Sequence, residues 1–165
     1  MERGRQLVAR VTQEVVLGVM TSVLGSTEGE FITPSDAGRL EEVLMDAVAA
    51  AVDRCAENTP VDQWTVQHTV DVVESTATDA LVDWSLRRAA LVRDFVDPAI
   101  TTATARASVD GEEPPSPPPE FLLGEARAKL LEVLDRPPVR SDASLRATAE
   151  AMAWTVLRSW VRSVS

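Results

Sequence analysis

The chain reads as an all-α protein, a bundle of about six helices with a Pro-rich, acidic linker over residues 109–120. Three observations predict this. Apolar residues recur at i, i+3, i+4 and i+7 along nearly the whole length. No segment of convincing length alternates apolar and polar residues as a half-buried strand would. Tyr is absent and there are only three Phe and four Trp, so the interior must be Val, Leu and Ala, and Ala and Leu favour helix. A length of 165 residues, 45% apolar and 25% charged, suits one helical domain over 1–165 with a sizeable core.

The first helix is expected over about 5–24, with Val8, Val11, Val15, Val19 and Val23 on one stripe and Gly25 as its stop. Its β-branched residues weaken intrinsic helix preference, so packing must hold it. The next two starts share a signature. Thr33-Pro34-Ser35-Asp36 and Thr59-Pro60-Val61-Asp62 each place Thr at the N-cap, Pro at the first helical position and Asp at the third. They predict helices over about 34–57 and 61–94. Leu40, Leu44, Ala47, Ala51 and Cys55 form the buried stripe of one; Val66, Val70, Val73, Ala77, Leu81, Trp84, Leu91 and Phe95 form that of the other.

Asp97-Pro98 reads as a kink or restart into a weak helix over about 98–108. Asp110 to Glu120 holds five prolines and four acids, which favours an extended, solvated linker. A fifth helix over about 119–135 stripes Leu123, Ala126, Leu130 and Val133, and Pro137-Pro138 closes it. Ser141 or Asp142 caps the last helix, about 142–164. Its face carries Leu145, Ala149, Met152, Val156, Trp160 and Val164, widened by Trp154, Leu157 and Val161.

Charge narrows the function classes. The net charge is −10, placed unevenly: 21 acids against 9 bases through residue 120, then 5 against 7. Between Ile32 and Asp83 only Arg39 and Arg54 oppose 11 acids. Phosphate backbones attract Lys and Arg, so nucleic acid is not an expected partner. The acidic helices, through Glu41, Glu42, Asp46, Asp71 and Glu74, suit a basic protein surface instead. Arg3, Arg5 and Arg10 ahead of the apolar run Val15–Leu24 loosely mimic a targeting signal. That run is shorter than the roughly 20 residues a bilayer needs, and no small-x-small site follows. No membrane role is expected. One cysteine, Cys55, fits a reducing, cytoplasmic setting.

The chain offers little catalytic equipment. His68 is the only histidine, with Asp71 and Glu74 following on its helix, too few donors for a zinc or di-iron site within one chain. A Cys55–His68 pair has no third group to orient it. The seven glycines form neither a phosphate loop nor a dinucleotide fingerprint, and no cofactor is implied. The tryptophans are more suggestive, because Trp is enriched at interfaces and pocket walls. Trp64, Trp84, Trp154 and Trp160 all fall on predicted helices, and the last helix, with Met152 and Val156, has an apolar arc wider than one neighbour requires. The leading expectation is a non-enzymatic interaction or regulatory module, self-associating through its C-terminal helix and offering acidic helices to a basic partner. A bundle binding an apolar ligand between Trp64, Trp84 and Trp154 is the alternative, and a metal-dependent enzyme the third.

Overall fold

Thr33 opens a helix by a reciprocal cap. Its hydroxyl accepts the Asp36 N–H at 3.1 Å, and the Asp36 carboxylate accepts the Thr33 N–H at 3.3 Å. Pro34 fills the first helical position, where a missing N–H costs nothing. The computed structural model describes residues 2–25, 32–109, 120–136 and 140–164, with the side chains of 108, 109, 160, 161, 163 and 164 outside that description. Residues 110–119, nearly all of the expected linker, lie outside the described residues. The elements are α1 (Glu2–Leu24), α2 (Pro34–Ala56), a 3₁₀ turn (Val61–Gln63), α3 (Val66–Leu91), a π-helical turn (Val92–Val96), α4 (Asp97–Val109), α5 (Glu120–Leu134) and α6 (Asp142–Val164). There is no strand among the described residues, so the all-α expectation holds.

Two expectations need correction. The Thr59-Pro60-Val61-Asp62 signature does not start the third helix. It forms the 3₁₀ turn, and α3 begins later, where the Thr65 hydroxyl accepts the His68 N–H at 3.1 Å. Asp62 is engaged elsewhere: its carboxylate accepts the Gly4 N–H of α1 at 3.3 Å. Its charge serves the N-terminus of a distant helix instead of its own. The second correction concerns Asp97-Pro98, which does not restart the helix after a break. Pro98 cannot donate a backbone hydrogen bond, and its ring crowds the carbonyl four residues back. The preceding turn widens to π spacing, with the Asp97 N–H on the Val92 carbonyl, and helix continues through to Val109. The described residues therefore form five uninterrupted helical runs where about six were expected.

The chain divides into two compact units, Met1–Ser85 and Leu86–Ser165. In the first, α1, α2 and the first part of α3 share an apolar interior. Val11, Val48, Val73 and Ala77 make one cluster; Val16, Met20, Leu40, Leu44 and Trp84 make another. Of the expected α2 stripe, Leu40, Leu44 and Ala51 are buried and Ala47 and Cys55 half-buried, while the fully buried Val48 lay outside it. The α1 stripe is rotated from expectation toward Val16 and Met20. Where α1 begins, Gly4 lies directly on the 3₁₀ turn: a Cβ there would stand 2.6 Å from the Val61 carbonyl oxygen.

In the second unit the principal contact runs between α4 and α6. Ala99, Ala103 and Ala107 recur every fourth residue on one, and Ala149, Ala153 and Leu157 do so on the other, all buried. Small side chains on both faces let the helix backbones approach closely. Leu130, Leu131 and Leu134 of α5 complete that core. Arg127 bonds Asp97 at 2.9 Å, tying α5 to α4. Arg87 reaches Asp135, whose side chain is largely buried, at 2.8 Å.

Candidate functional site

Within the first unit the two predicted tryptophans have different surroundings. Trp64 is buried behind the 3₁₀ turn, its indole N–H donating to the Thr59 carbonyl at 2.7 Å and its ring meeting His68 edge-on at 4.9 Å. Trp84 lies in the core with Leu40 and Leu44. Trp154, in the second unit, is half-buried with the Arg106 guanidinium 4.2 Å from its ring centroid. Met152 and Val156 are likewise half-buried against the second unit's core. The side chain of Trp160 lies outside the described residues.

The acidic set falls on two helices. Glu41, Glu42 and Asp46 are exposed on α2, while Asp71 and Glu74 are exposed on α3, Asp71 accepting a bond from Gln67 at 2.8 Å. Among the described residues no three His, Cys, Asp or Glu side chains are placed to hold a metal ion. His68 is exposed, and Cys55 is half-buried. One exposed ion pair is strongly formed: the Arg93 guanidinium donates to Asp94 at 2.8 Å and holds that carboxyl below its ordinary value.

The feature that the sequence reading missed is a groove of about 960 Å³ along the outer side of α1 and α2. Val8, Thr12, Val16, Leu17, Met20 and Leu24 form one wall; Pro34, Gly38, Glu41, Met45, Ala49 and Val52 form the other, with Asp53 at the end. The helices build it by carrying apolar residues on two faces each. On α1, Val11 and Val16 turn to the core, whereas Leu17 remains 66% exposed and Leu24 49%. On α2, Leu40, Leu44 and Val48 turn inward while Met45 stays 42% exposed. Gly38 keeps its stretch of the wall low, since nothing stands within 4 Å of where its Cβ would be. A signal was available: the apolar residues of α1 cover more than one stripe, and Leu17 and Met45 fit neither core pattern.

The two-faced character of α1 also explains its hydropathy. Among the described residues it is the one helix long and apolar enough, by length and composition, to cross a membrane. A shallower groove of about 530 Å³ between α1 and α3 has Glu14 and Glu74 on its rim.

Electrostatics distinguishes the two units. Residues 1–85 carry fifteen acids and five bases, a net charge of −10; residues 86–165 carry eleven of each. The whole charge excess of the chain thus belongs to the unit that bears the groove. No family model, no curated protein and no solved structure matches this chain.

Proposed function

We propose that this chain is a non-enzymatic, helical protein-interaction module whose binding surface is the α1–α2 groove. The observation that carries the reading is the open apolar trough itself, with Leu17, Leu24 and Met45 held out of the core on α1 and α2. Large apolar side chains exposed together on one concave face mark interaction sites in soluble proteins. An amphipathic helix laid into such a trough is a recurrent mode of recognition. Self-association through α6, with Met152, Val156 and Trp154 at its edge, belongs to the same proposal as a second surface. A cytoplasmic setting is the one in which its single cysteine would stay reduced.

Site-specific photo-crosslinking in the native host tests the reading. A crosslinker at Leu17 or Met45 yields discrete protein adducts, and one at exposed Thr102 of α4 does not. Equal adducts from all three positions, or none from any, refute the groove as a binding surface. A second reading, an apolar small ligand, is favoured by the volume alone, which lies at the upper end of the range of small-molecule pockets. Native mass spectrometry separates it, because a stoichiometric organic ligand lost in Leu17→Asp supports the ligand and its absence supports the protein partner.

A further inference from the structure

Resting on that reading, we infer that the groove's occupant is a basic amphipathic helix of about sixteen to eighteen residues, with Lys or Arg along the flank that faces α2. Length follows from the walls. The groove runs from Val8 to Leu24 on α1 and from Pro34 to Asp53 on α2, about 24–28 Å at 1.5 Å per residue. That span takes four to five helical turns, too long for a compact ligand and suited to apolar anchors at i, i+4, i+7 and i+11.

Chemistry follows from the charge. At about 100° per residue, Glu42, Asp46 and Asp53 share the edge of α2 that borders the groove, and Glu41 lies within the wall. All four are exposed. The bases nearby are Arg3 and Arg10 on the α1 edge and Arg5 one turn before Val8, all near the N-terminal end of α1, and Arg39 three residues before Glu42 on α2. The acids are therefore in excess along the α2 flank from Glu42 to Asp53. The unit as a whole is at −10. A second copy seated here would bring −10 against −10, and an acidic membrane surface would be repelled in the same way. A helix with apolar anchors and a cationic flank satisfies both the trough and its rim.

The test uses the full chain and two synthetic probes. Each is a capped peptide of about 18 residues with leucines at the anchor spacing, one carrying Lys on its polar face and the other Glu. At low salt the Lys peptide binds about tenfold more tightly, the effect of a few exposed charge pairs, and the gap narrows as salt rises. Glu42→Lys/Asp46→Lys reverses the order of the two peptides. Leu17→Asp/Met45→Asp abolishes binding of both while far-UV circular dichroism stays unchanged, since both side chains are exposed.

Each contrary outcome is decisive. Equal binding of the two peptides, still lost in Leu17→Asp/Met45→Asp, overturns the charge inference and leaves the groove as a protein-binding surface. Binding insensitive to Leu17→Asp/Met45→Asp overturns the groove itself. A concentration-dependent dimer dissociated by Leu17→Asp, with neither peptide bound, assigns the trough to a second copy. Capture by vesicles of phosphatidylcholine and phosphatidylglycerol, lost in Leu17→Asp, assigns it to lipid.

Discussion

Gly4 and Gly18 lie on one helix and predict opposite responses to the same substitution. Alanine removes backbone freedom from the unfolded chain, which in a helix interior stabilises by about 0.5–1 kcal/mol. At Gly18 nothing stands within 4 Å of the new methyl group, so Gly18→Ala retains that whole gain. At Gly4 the methyl would meet the Val61 carbonyl oxygen at 2.6 Å, the Val61 carbonyl carbon at 2.7 Å and the Asp62 nitrogen at 2.8 Å. These are backbone atoms and cannot swing aside like a side chain. The 3₁₀ turn must move off α1, weakening the Gly4–Asp62 hydrogen bond. Overpacking of this kind costs about 1–3 kcal/mol, which leaves Gly4→Ala destabilised by about 1–2 kcal/mol after the helix gain. The two variants should differ by about 2 kcal/mol. That is about 2 M in urea midpoint for a unit of this size, with a slope near 1 kcal/mol/M. Urea titration followed by tryptophan fluorescence reads it, since Trp64 sits beside the displaced turn and is buried. Equal stabilisation by both substitutions would refute the close seating of α1 on the turn.

Further predictions are smaller in scope. Thr33→Ala removes one half of the α2 capping box and should cost about 1 kcal/mol in chemical denaturation, with Thr33→Ser restoring most of it. Leu157→Ala opens the α4–α6 seam at a fully buried position and should cost about 2–5 kcal/mol, seen as a lowered Tm by calorimetry. The Asp94 carboxyl, held down by the neighbouring Arg93 guanidinium, should titrate below ordinary aspartate values in an NMR pH series and return toward them in Arg93→Gln. Its stabilising share is complete above the ordinary value and is lost as pH falls through the lowered one.

How much of this was legible beforehand depended on whether the cause was local. The Thr33–Asp36 cap spans three residues, and the Leu40–Leu44–Ala51 stripe needs only helical periodicity, so both were readable. Ser141 was readable as the α6 cap for the same reason, its hydroxyl accepting the Ser144 N–H at 3.3 Å. The Thr59-Pro60 start was not, because its Asp62 is drawn to Gly4, 58 residues away, and Trp64 must be buried before α3 can begin. The π turn was hidden for a different reason. A proline can be absorbed by widening the turn before it, and the sequence pattern alone does not choose between widening and a break in the helix. In α6, Ala149 and Leu157 lie on the expected face and are buried, whereas Ala153, buried beside them, was not legible, because one more alanine in an Ala-rich helix does not mark its side. The groove was masked by the assumption that each helix has one apolar face. Leu17 and Met45 belong to a second.

Under the proposed function a partner docks in the outer trough of α1 and α2. Amide chemical-shift mapping on the isotopically labelled full chain, titrated with the lysine-bearing amphipathic peptide, addresses that directly. Shifts concentrated at Val8, Leu17, Gly38, Met45 and Ala49, with α4 and α6 unmoved, are the predicted result. A footprint centred on Met152 and Trp154 of α6, or on Glu14 and Glu74 beside the shallower groove, would contradict it.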